Sequence, residues 1–570
     1  MQQQGLGYGL RFHDRCVCTL WLGLLVSWSA AQADNVDASG KCAEWDLTAN
    51  TLSGQKRPDV LDANGFVIGS ILVEPGSIFD LENPKEDGFL YRTANKLHIE
   101  TRQNVIQQQL LFAEGEDFSK RLVDESERLL RGNRYLKDAS VELVPTDDCV
   151  VDVKVHTVDT WTLSPKFTFS RSGGANSSDI GVKEMNLLGT GIFLEALYTT
   201  DVDRSSKLLK YVDRNVGDSW YELKLLYENS DDGYSTGIDF GKPFFALDAT
   251  DSHGFSYYDN DRIDSYYDLG DVAGEFRHRT KAYQFYRGWS TGVVDDWVRR
   301  VTVGLAYDSH LFSASDSLQF ADSPLPQDRQ LFYPFVGIEW LQNDFDTTTN
   351  TDQIGRTEDR FLGTRFTARL GRSRTELGSD RDAWLLNAGA QTSFAETDTR
   401  RVTLDGNMGT RIESGGLQDF VLEGTVKYYK RQSDKRLFFA SASGLYGHEL
   451  DADRIMELGG DTGLRGYPLR YQAGDKRALF SVEQRFYTNW YPFRLFYVGA
   501  AAFFDVGRTW GAGGAETTDL GWLKDAGVGL RLGNSRSGQG GVIHIDLAFP
   551  LDGTNDIDSV QFLVSTRKSF

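Results

Sequence analysis

Hydrophobic and polar residues alternate with a period of two in short segments that recur from Trp161 to the end of the chain. In the segment 362–370 the even positions are Leu362, Thr364, Phe366, Ala368 and Leu370, and the odd positions between them are Gly363, Arg365, Thr367 and Arg369. Because successive side chains of a β-strand point to opposite faces, one face of this strand suits lipid and the other suits water.

Three further segments, 478–486, 496–506 and 560–570, alternate in the same way and carry polar residues on one face. Glu483 and Arg485 share the polar face of the first segment, and Asp505 lies on that of the second. The strands of a soluble β-sandwich would also alternate, but they would stack sheet on sheet around a bulkier apolar face. Charges on these faces suit a water-filled lumen, so the pattern predicts an all-β transmembrane β-barrel over residues 161–570.

The pattern between residues 65 and 160 is different and predicts one small α+β domain. Its elements follow the order β-α-α-β-β, with Ser119 as a suitable N-cap for the second helix. The expected elements are a strand over Val67–Val73, a helix over Thr101–Phe112, a helix from Ser119 to Gly132, and strands over Ala139–Val144 and Val150–Val158. Generic small α+β domains share this order, so it does not by itself identify a function.

The first 33 residues have the three parts of a secretory signal peptide. Arg11 and Arg15 precede the apolar stretch 16–26, and an Ala-x-Ala sequence ends at Ala33. The apolar stretch is too short for a spanning helix, although an uncleaved N-terminal anchor is the alternative. A polar lead-in follows over residues 34–64. Export predicts the periplasm, the outer membrane or the medium as the location.

Composition agrees with an exported barrel. The chain has 570 residues, 58 Gly, 12 Pro and 12% aromatic residues, and its mean hydropathy of -0.40 would suggest a soluble protein if strands that face lipid at every second residue were ignored. The formal net charge of -21 disfavours a nucleic-acid partner, which would need clustered Lys and Arg. Cys42 and Cys149 remain after the leader, and in an oxidising compartment they either pair or stay free.

Three motifs stand in a fixed order along the predicted barrel. Asn186–Gly191 forms a glycine-rich turn near its start, residues 458–468 form the long loop Leu-Gly-Gly-Asp-Thr-Gly-Leu-Arg-Gly-Tyr-Pro, and Phe503–Gly507 reads Phe-Phe-Asp-Val-Gly. Together they resemble the outer-membrane polypeptide-transporter superfamily, which includes barrel-assembly subunits, surface antigens and two-partner-secretion transporters. The resemblance covers about residues 67–570, and domain 65–160 then resembles a POTRA domain.

The resemblance implies a barrel of about 16 antiparallel strands, although somewhat more than sixteen alternating segments can be counted. It implies that loop 450–475 folds into the lumen with its tip, Leu464, Arg465, Gly466 and Tyr467, against the inner wall. Leu464 stands where the family often has Val. Phe570, which directly follows the last alternating segment, resembles the C-terminal sorting signal of such barrels.

A guanidinium inside a barrel needs a carboxylate to offset its desolvation. Glu483 and Asp505 lie on the polar face of neighbouring strands, so we predict that Arg465 pairs with one or both. Phe503 and Gly507 belong to the same strand motif and are expected to support the loop. The glycines expected to let the loop turn sharply and lie close to the wall are Gly459, Gly460, Gly463 and Gly466.

The sequence therefore predicts a non-enzymatic protein of the bacterial outer membrane that assembles outer-membrane proteins or translocates polypeptides. Its expected partners are outer-membrane lipid, an unfolded client polypeptide received by the periplasmic POTRA, and periplasmic chaperones or accessory subunits. No cofactor is expected, and no metal, because the histidines are scattered without metal spacing. The alternatives are the barrel of a patatin-type relative that lacks its hydrolase domain, a gated pore, and an outer-membrane enzyme.

Overall fold

A computed structural model describes Asp62 and residues 65–146, 149–315, 325–397, 399–511, 518–538, 541–554 and 557–567. The predicted signal peptide, Cys42 and Phe570 lie outside the described residues. The chain divides into two compact units with a boundary between Trp161 and Thr162. Within the described ranges, no helix combines the length and the apolar composition needed to cross a membrane.

The described part of the first unit is a three-stranded sheet accompanied by helices. Its elements are β1 (Val67–Gly76), α1 (Phe89–Leu97), α2 (Gln103–Gln107), α3 (Lys120–Gly132), β2 (Leu136–Pro145) and β3 (Val150–Asp159). The strand order is β1-β3-β2, with β1 parallel and β2 antiparallel to the central β3. The helix α3 buries Val123 and Leu130 in a core that also contains Ile68 and Val153, so its apolar stripe is what fixes it to the sheet.

Strands β1 to β3 and helix α3 confirm the predicted elements, whereas the predicted helix over 101–112 was wrong in extent. Only the five residues of α2 are helical there, and α1 was not expected at all. The helix α1 buries none of its residues, and Phe89, Leu90 and Leu97 are exposed. It therefore lacks the buried apolar stripe by which sequence patterns identify a helix.

The second unit is a closed barrel of 20 antiparallel strands. The first ten strands of the wall are β4 (Ser164–Ser172), β5 (Ala175–Glu184), β6 (Phe193–Thr200), β7 (Ser205–Asp213), β8 (Glu222–Ser230), β9 (Tyr234–Lys242), β10 (Asp251–Asp268), β11 (Asp271–Val294), β12 (Trp297–Ala314) and β13 (Arg329–Gln342). The other ten are β16 (Thr364–Ser373), β17 (Ala383–Thr397), β18 (Arg400–Glu413), β19 (Gly416–Ser433), β20 (Arg436–His448), β23 (Lys476–Tyr487), β24 (Phe496–Trp510), β25 (Leu523–Asn534), β26 (Val542–Pro550) and β27 (Gln561–Arg567).

Two short strand pairs lie outside the wall ladder: β14 (Phe345–Thr349) with β15 (Thr357–Phe361), and β21 (Met456–Leu458) with β22 (Gln472–Gly474). The first pair connects β13 to β16, and the second connects β20 to β23. Because wall strands alternate in direction, these two connections emerge from opposite rims. We call them the plug hairpin (345–361) and the plug loop (450–475).

The expectation of 16 strands was wrong, since the ladder closes only at 20. In hydrocarbon every backbone N–H and C=O must find a partner, so each alternating segment long enough to cross becomes a wall strand and cannot be set aside as a loop extension. The count of alternating segments, which exceeded sixteen, indicated the strand number better than the family resemblance did.

The predicted alternation is confirmed by the exposure of the side chains. Phe480 and Val482 on β23 are 47% and 40% exposed, whereas Glu483 and Arg485, on the opposite face of the same strand, are 5% and 1% exposed. Charged residues thus face the inside of the wall while large apolar residues face out. A soluble surface would not present aromatic and aliphatic side chains on strand after strand, so the outer face is suited to lipid.

The barrel closes where its last strand meets its first, and this junction, which we call the seam, is the least regular part of the described wall. One register pair, Val564 with Arg171, joins β27 to β4 among the described residues. On its other side β27 is paired with β26 along its whole length, from Gln561 opposite Ala548 to Arg567 opposite Val542.

Candidate functional site: a lumen filled from both rims

The plug loop turns into the barrel and buries its tip. Leu464, Arg465 and Tyr467 at the tip are 0%, 2% and 0% exposed. Leu464 and Tyr467 pack with Leu458, Tyr471 and Leu523 in a small apolar cluster. A loop that packs side chains this completely belongs to the folded interior of the barrel and not to its solvent-exposed surface.

Arg465 lies between the two carboxylates named from strand parity. Its Nε and Nη2 donate to Asp505 Oδ2 and Oδ1 at 2.7 and 2.9 Å, and its Nη1 donates to Glu483 Oε1 at 2.6 Å. The fork on Asp505 is bidentate, a geometry that an arginine can adopt and a lysine cannot. All three side chains are almost wholly buried. Removal of Arg465 would leave the buried Asp505 carboxylate without its guanidinium partner.

The ring of Phe503 forms the floor under this ion pair. The centroid of the ring lies 3.4 Å from Arg465 Cζ, so the guanidinium is also held by a cation–π contact. Gly507, two residues beyond Asp505, leaves room for Leu458 of the plug loop, because a Cβ there would lie 2.8 Å from Leu458 Cδ2. The Phe-x-Asp-x-Gly sequence therefore supplies a cation–π face, a carboxylate and a gap on one face of β24.

Tyr467 fixes the tip to the next two wall strands. Its hydroxyl lies 2.7 Å from Lys524 O and 3.0 Å from Asp552 O, so its proton is donated to one carbonyl or shared between the two. The hydroxyl oxygen accepts from Lys524 N at 3.1 Å and from Asp552 N at 3.4 Å. Lys524 is the second residue of β25, and Asp552 follows β26. The Arg-Gly-Tyr tip thus spans four consecutive strands, from β23 to the end of β26.

Close approach explains the glycines of the loop. Gly460 faces the backbone of Gly173 in the turn between β4 and β5, where a Cβ would come within 2.7 Å of Gly173 N. Gly463 has φ +124°, a backbone conformation that side-chain-bearing residues rarely adopt. A Cβ at Gly459 would collide with Pro468 O of the loop itself, and a Cβ at Gly466 would collide with Asp525 of the wall.

Two anchors at the base of the plug loop were not expected from the sequence. Arg411 forks onto Asp451 at 2.6 and 2.8 Å, and Arg329 forks onto Asp453 at 2.8 Å twice. Tyr266 adds a hydrogen bond of 2.9 Å from its hydroxyl to Ala452 O. The signal was present in the acidic sequence Asp451-Ala452-Asp453, but its partners lie on β13 and β18, which the sequence does not place next to the loop.

The plug hairpin enters the lumen from the opposite rim, which was not predicted from the sequence. Ile354 near its tip is 4% exposed and packs in one cluster with Tyr429, Leu437, Tyr487 and Val542. Those four side chains lie on β19, β20, β23 and β26, and each points into the lumen, as Glu483 does. The hairpin tip therefore reaches the inner wall on the side that also receives the plug loop.

A single carboxylate joins the two plugs. Glu483 Oε1 accepts from Arg465 of the plug loop, and Glu483 Oε2 accepts from Arg485 Nε at 3.0 Å. Arg485 Nη1 in turn donates to Thr351 O of the plug hairpin at 3.0 Å. Glu483 therefore bonds the plug loop directly and is linked to the plug hairpin through Arg485.

The remaining predicted residues are placed as follows. Asn186 Oδ1 accepts from Gly191 N at 2.6 Å and closes the glycine-rich turn. Cys149 is disulfide-bonded, whereas Cys42 lies outside the described residues, as does Phe570.

The Gly-x-Ser-x-Gly pattern of serine hydrolases occurs twice, at residues 233–237 and 288–292. The first stands at the start of β9, where Ser235 Oγ donates to Asn260 Oδ1 at 2.7 Å. The second lies inside β11, where Ser290 Oγ accepts from Gly292 N at 3.1 Å at a ladder irregularity. A nucleophile elbow needs a sharp turn from a strand into a helix. The pattern here has no such context and does not indicate a hydrolase.

Neither the protein-family models nor the curated proteins match this chain. Among solved structures it is similar to the crystal structure of BamA from Haemophilus ducreyi lacking POTRA domains 1-3, at 13% identity and a TM-score of 0.41, over 88% of this chain and 85% of that one. It is also similar to CdiB from Acinetobacter baumannii, at 11% identity and a TM-score of 0.43, over 88% and 74% of the two chains. CdiB from Escherichia coli gives 13% identity and a TM-score of 0.44, over 87% and 76%. At these values the likeness assigns no function, which has to come from the lumen itself.

Proposed function

We propose that this protein inserts polypeptides into the bacterial outer membrane or moves them across it. The barrel would lie in the membrane, and domain 65–160 would serve as a POTRA-like receptor in the periplasm. The observation that carries this proposal is the lumen, which is filled by two segments, one of which, the plug loop, is held by ion pairs at its base and at its tip. A buried ion pair fixes one geometry without adding much net stability over an apolar contact, so it suits a plug that must be released.

The seam supports an exit from the lumen into the bilayer. With one register pair between β27 and β4 in the described wall, it has less ladder to break than other strand junctions. An unpaired strand edge is costly in hydrocarbon. A client strand that enters the seam would satisfy both edges, and this gives insertion a driving force.

The plug loop touches both sides of the seam, so its release would loosen the junction. On one side Leu469 N donates to Gly173 O, in the turn after β4, at 3.4 Å. On the other side the Tyr471 hydroxyl lies 2.9 Å from Thr554 Oγ1, in the connection before β27. A loop bound at both places acts as a strap across the rim.

In the first unit, the outer edge of β2 is the candidate position for a client strand, because peptides commonly add to a sheet edge. Side chains of α3 already bond that edge: Glu127 Oε1 accepts from Val141 N at 2.7 Å, and Arg131 Nη1 donates to Ala139 O at 3.0 Å. A client would have to replace both bonds. Glu127→Ala should therefore increase photocrosslinking of clients at position 141, whereas Asp124→Ala, one turn earlier on the exposed face, should leave it unchanged.

The seam provides the decisive experiment. A disulfide between Arg171→Cys and Val564→Cys would lock the registered pair, and cells that depend on this variant should show the same losses from the outer-membrane and secreted proteomes as cells depleted of the protein. Reductant should reverse the effect. The matched control is Ile545→Cys with Val564→Cys, which locks β26 to β27 at the directly opposed pair on the other side of the same strand.

A gated pore is the second candidate, because the charged inner wall suits passage of ions and small polar solutes. If depletion leaves both proteomes unchanged while removal of residues 450–475 raises the single-channel conductance, the pore is the function and the transporter is not. If the seam lock alters the proteomes and its control does not, the pore reading is wrong.

A further inference from the structure

Two histidines face each other on the inner wall close to the base of the plug loop. His278 lies on β11 and His310 on β12, where the register sets His278 opposite Phe312 and His310 opposite Thr280. The two are therefore diagonal neighbours, and His278 Nε2 lies 2.9 Å from His310 Nδ1. They stand 32 residues apart in the chain, a separation that conceals their proximity in the sequence.

The outer nitrogen of each ring is turned toward a carboxylate. His278 Nδ1 lies 2.8 Å from Asp264 Oδ2, and His310 Nε2 lies 3.3 Å from Asp308 Oδ1. With a proton held on each outer nitrogen, the lone pairs of both inner nitrogens point into the same gap. Metal-bound histidines show this arrangement, since the carboxylate fixes the tautomer and raises the basicity of the ligating nitrogen.

The plug loop contributes a third donor to the gap. An oxygen of Asp453 and one ring nitrogen of each histidine all lie within 4.8 Å of one another. Both Asp453 oxygens accept from Arg329, but an ionised carboxylate has about four lone-pair directions, so each keeps one for a cation. The ring of Phe312 stacks on His278 with centroids 4.5 Å apart and shields this side of the gap from water.

We propose that His278, His310 and Asp453 bind a divalent transition-metal ion, with zinc the best match to two imidazoles and a carboxylate. Tetrahedral bonds of about 2.0–2.1 Å would set the two nitrogens roughly 3.3 Å apart, so the present gap of 2.9 Å has to widen by only a few tenths of an ångström. The Thr280 hydroxyl, 3.2 Å from His278 Nε2, or a water molecule is available for the fourth position.

Such an ion would join the plug loop to β11 and β12. This is a different part of the wall from the one that holds the tip of the loop. Arg465 fixes the tip to β23 and β24, and Tyr467 fixes it to β25 and the end of β26. The base of the loop would then be held by metal coordination and its tip by ion pairs. Binding of the ion would stabilise the docked loop, and the inference stands whether the barrel transports polypeptides or conducts small solutes.

The test uses the full-length protein in detergent micelles, purified without a polyhistidine tag. Titration with Zn²⁺ should show one tight site by calorimetry, and Co²⁺ should give the visible absorption of a tetrahedral site. His278→Ala and His310→Ala should each abolish the tight site, and Asp453→Asn should weaken it at least about tenfold. Asp264→Asn should weaken it about 10- to 100-fold through the lost carboxylate support.

Two controls separate ligation from general damage. His448→Ala removes an exposed histidine at the end of β20 and should leave the titration unchanged. Asp451→Asn breaks the ion pair of the loop base with Arg411 and also weakens a contact of 3.3 Å with Arg329 Nε. Because Arg329 keeps both of its bonds to Asp453, this variant should also leave the zinc site intact. If the wild-type protein binds no stoichiometric zinc or cobalt, or if binding survives in the His278→Ala, His310→Ala double variant, the proposal is wrong and the two rings share a proton instead.

Discussion

Arg465 is the residue whose loss should do most to free the plug loop. Its guanidinium makes the bidentate bond to Asp505 and the single bond to Glu483, all between buried groups. Glu483 would keep Arg485 as a partner after Arg465→Ala, but Asp505 would keep only the Ser481 hydroxyl, at 2.5 Å, and the neighbouring carboxyl group of Asp525, neither of which is a cation. The penalty therefore falls chiefly on Asp505, which is 0% exposed.

Leaving one member of a buried ion pair without its partner costs about 3–5 kcal/mol. Since every 1.4 kcal/mol is a factor of about ten, the equilibrium between docked and released loop should shift toward release by roughly 100-fold to 4,000-fold. Arg465→Lys should lose most of the same stabilisation, because an ammonium group cannot form the fork on Asp505 and also reach Glu483. Adding Asp505→Asn to Arg465→Ala should restore part of the docking, since the stranded charge is then gone.

Single-channel recording in planar bilayers measures the released state directly as open time. Wild-type channels should be closed for most of the record, and both Arg465 variants should be open for a much larger share. Arg508→Ala is the matched control, because Arg508 also lies on β24 but pairs with Asp519 at the exposed surface. If Arg465→Ala, Arg465→Lys and Arg508→Ala all kept the wild-type open time, the ion pair would not be what holds the loop, and the reasoning would be refuted.

Three further effects are expected in the same recordings. Tyr467→Phe removes a hydroxyl that contacts four backbone atoms and should destabilise docking by about 1–3 kcal/mol. This is more than expected for Tyr471→Phe, whose hydroxyl has Thr554 as its side-chain partner, and equal effects would contradict this ranking. Arg465→Ala and Arg485→Ala should be non-additive by about 0.5–3 kcal/mol because both bond Glu483, and strict additivity would show that the two plugs are independent. Ile354→Ala should loosen the plug hairpin by about 2–5 kcal/mol and add a second, distinct open level, and a record with one level only would speak against a second plug.

Much of the barrel could be predicted because its strongest signal is local. Alternation of apolar and polar residues over eight or nine positions decides which side chains face inward. It predicts that Glu483 and Asp505 lie on the inner face, and the register of the strands is not needed for this. The partners of Arg465 followed from charge balance alone, since few carboxylates were available on the neighbouring inner faces.

The parts that could not be predicted depend on which strands become neighbours. Asp451 and Asp453 are bonded by arginines of β18 and β13, and the tip of the plug hairpin rests on strands far away in the chain. His278 and His310 come together only through the register of β11 and β12. Period and composition do not contain that information, so they reveal neither the histidine pair nor the entry of the hairpin into the lumen.

The plug hairpin changes what opening the barrel would mean. The chain enters the wall through β4 at the rim from which this hairpin emerges, and the plug loop closes the other rim. A lumen with a separate closure at each end can admit a client at one end while the other stays shut. The outer membrane would then remain impermeable to small solutes throughout a transport cycle. Glu483, shared by both closures, is suited to transmit the state of one end to the other.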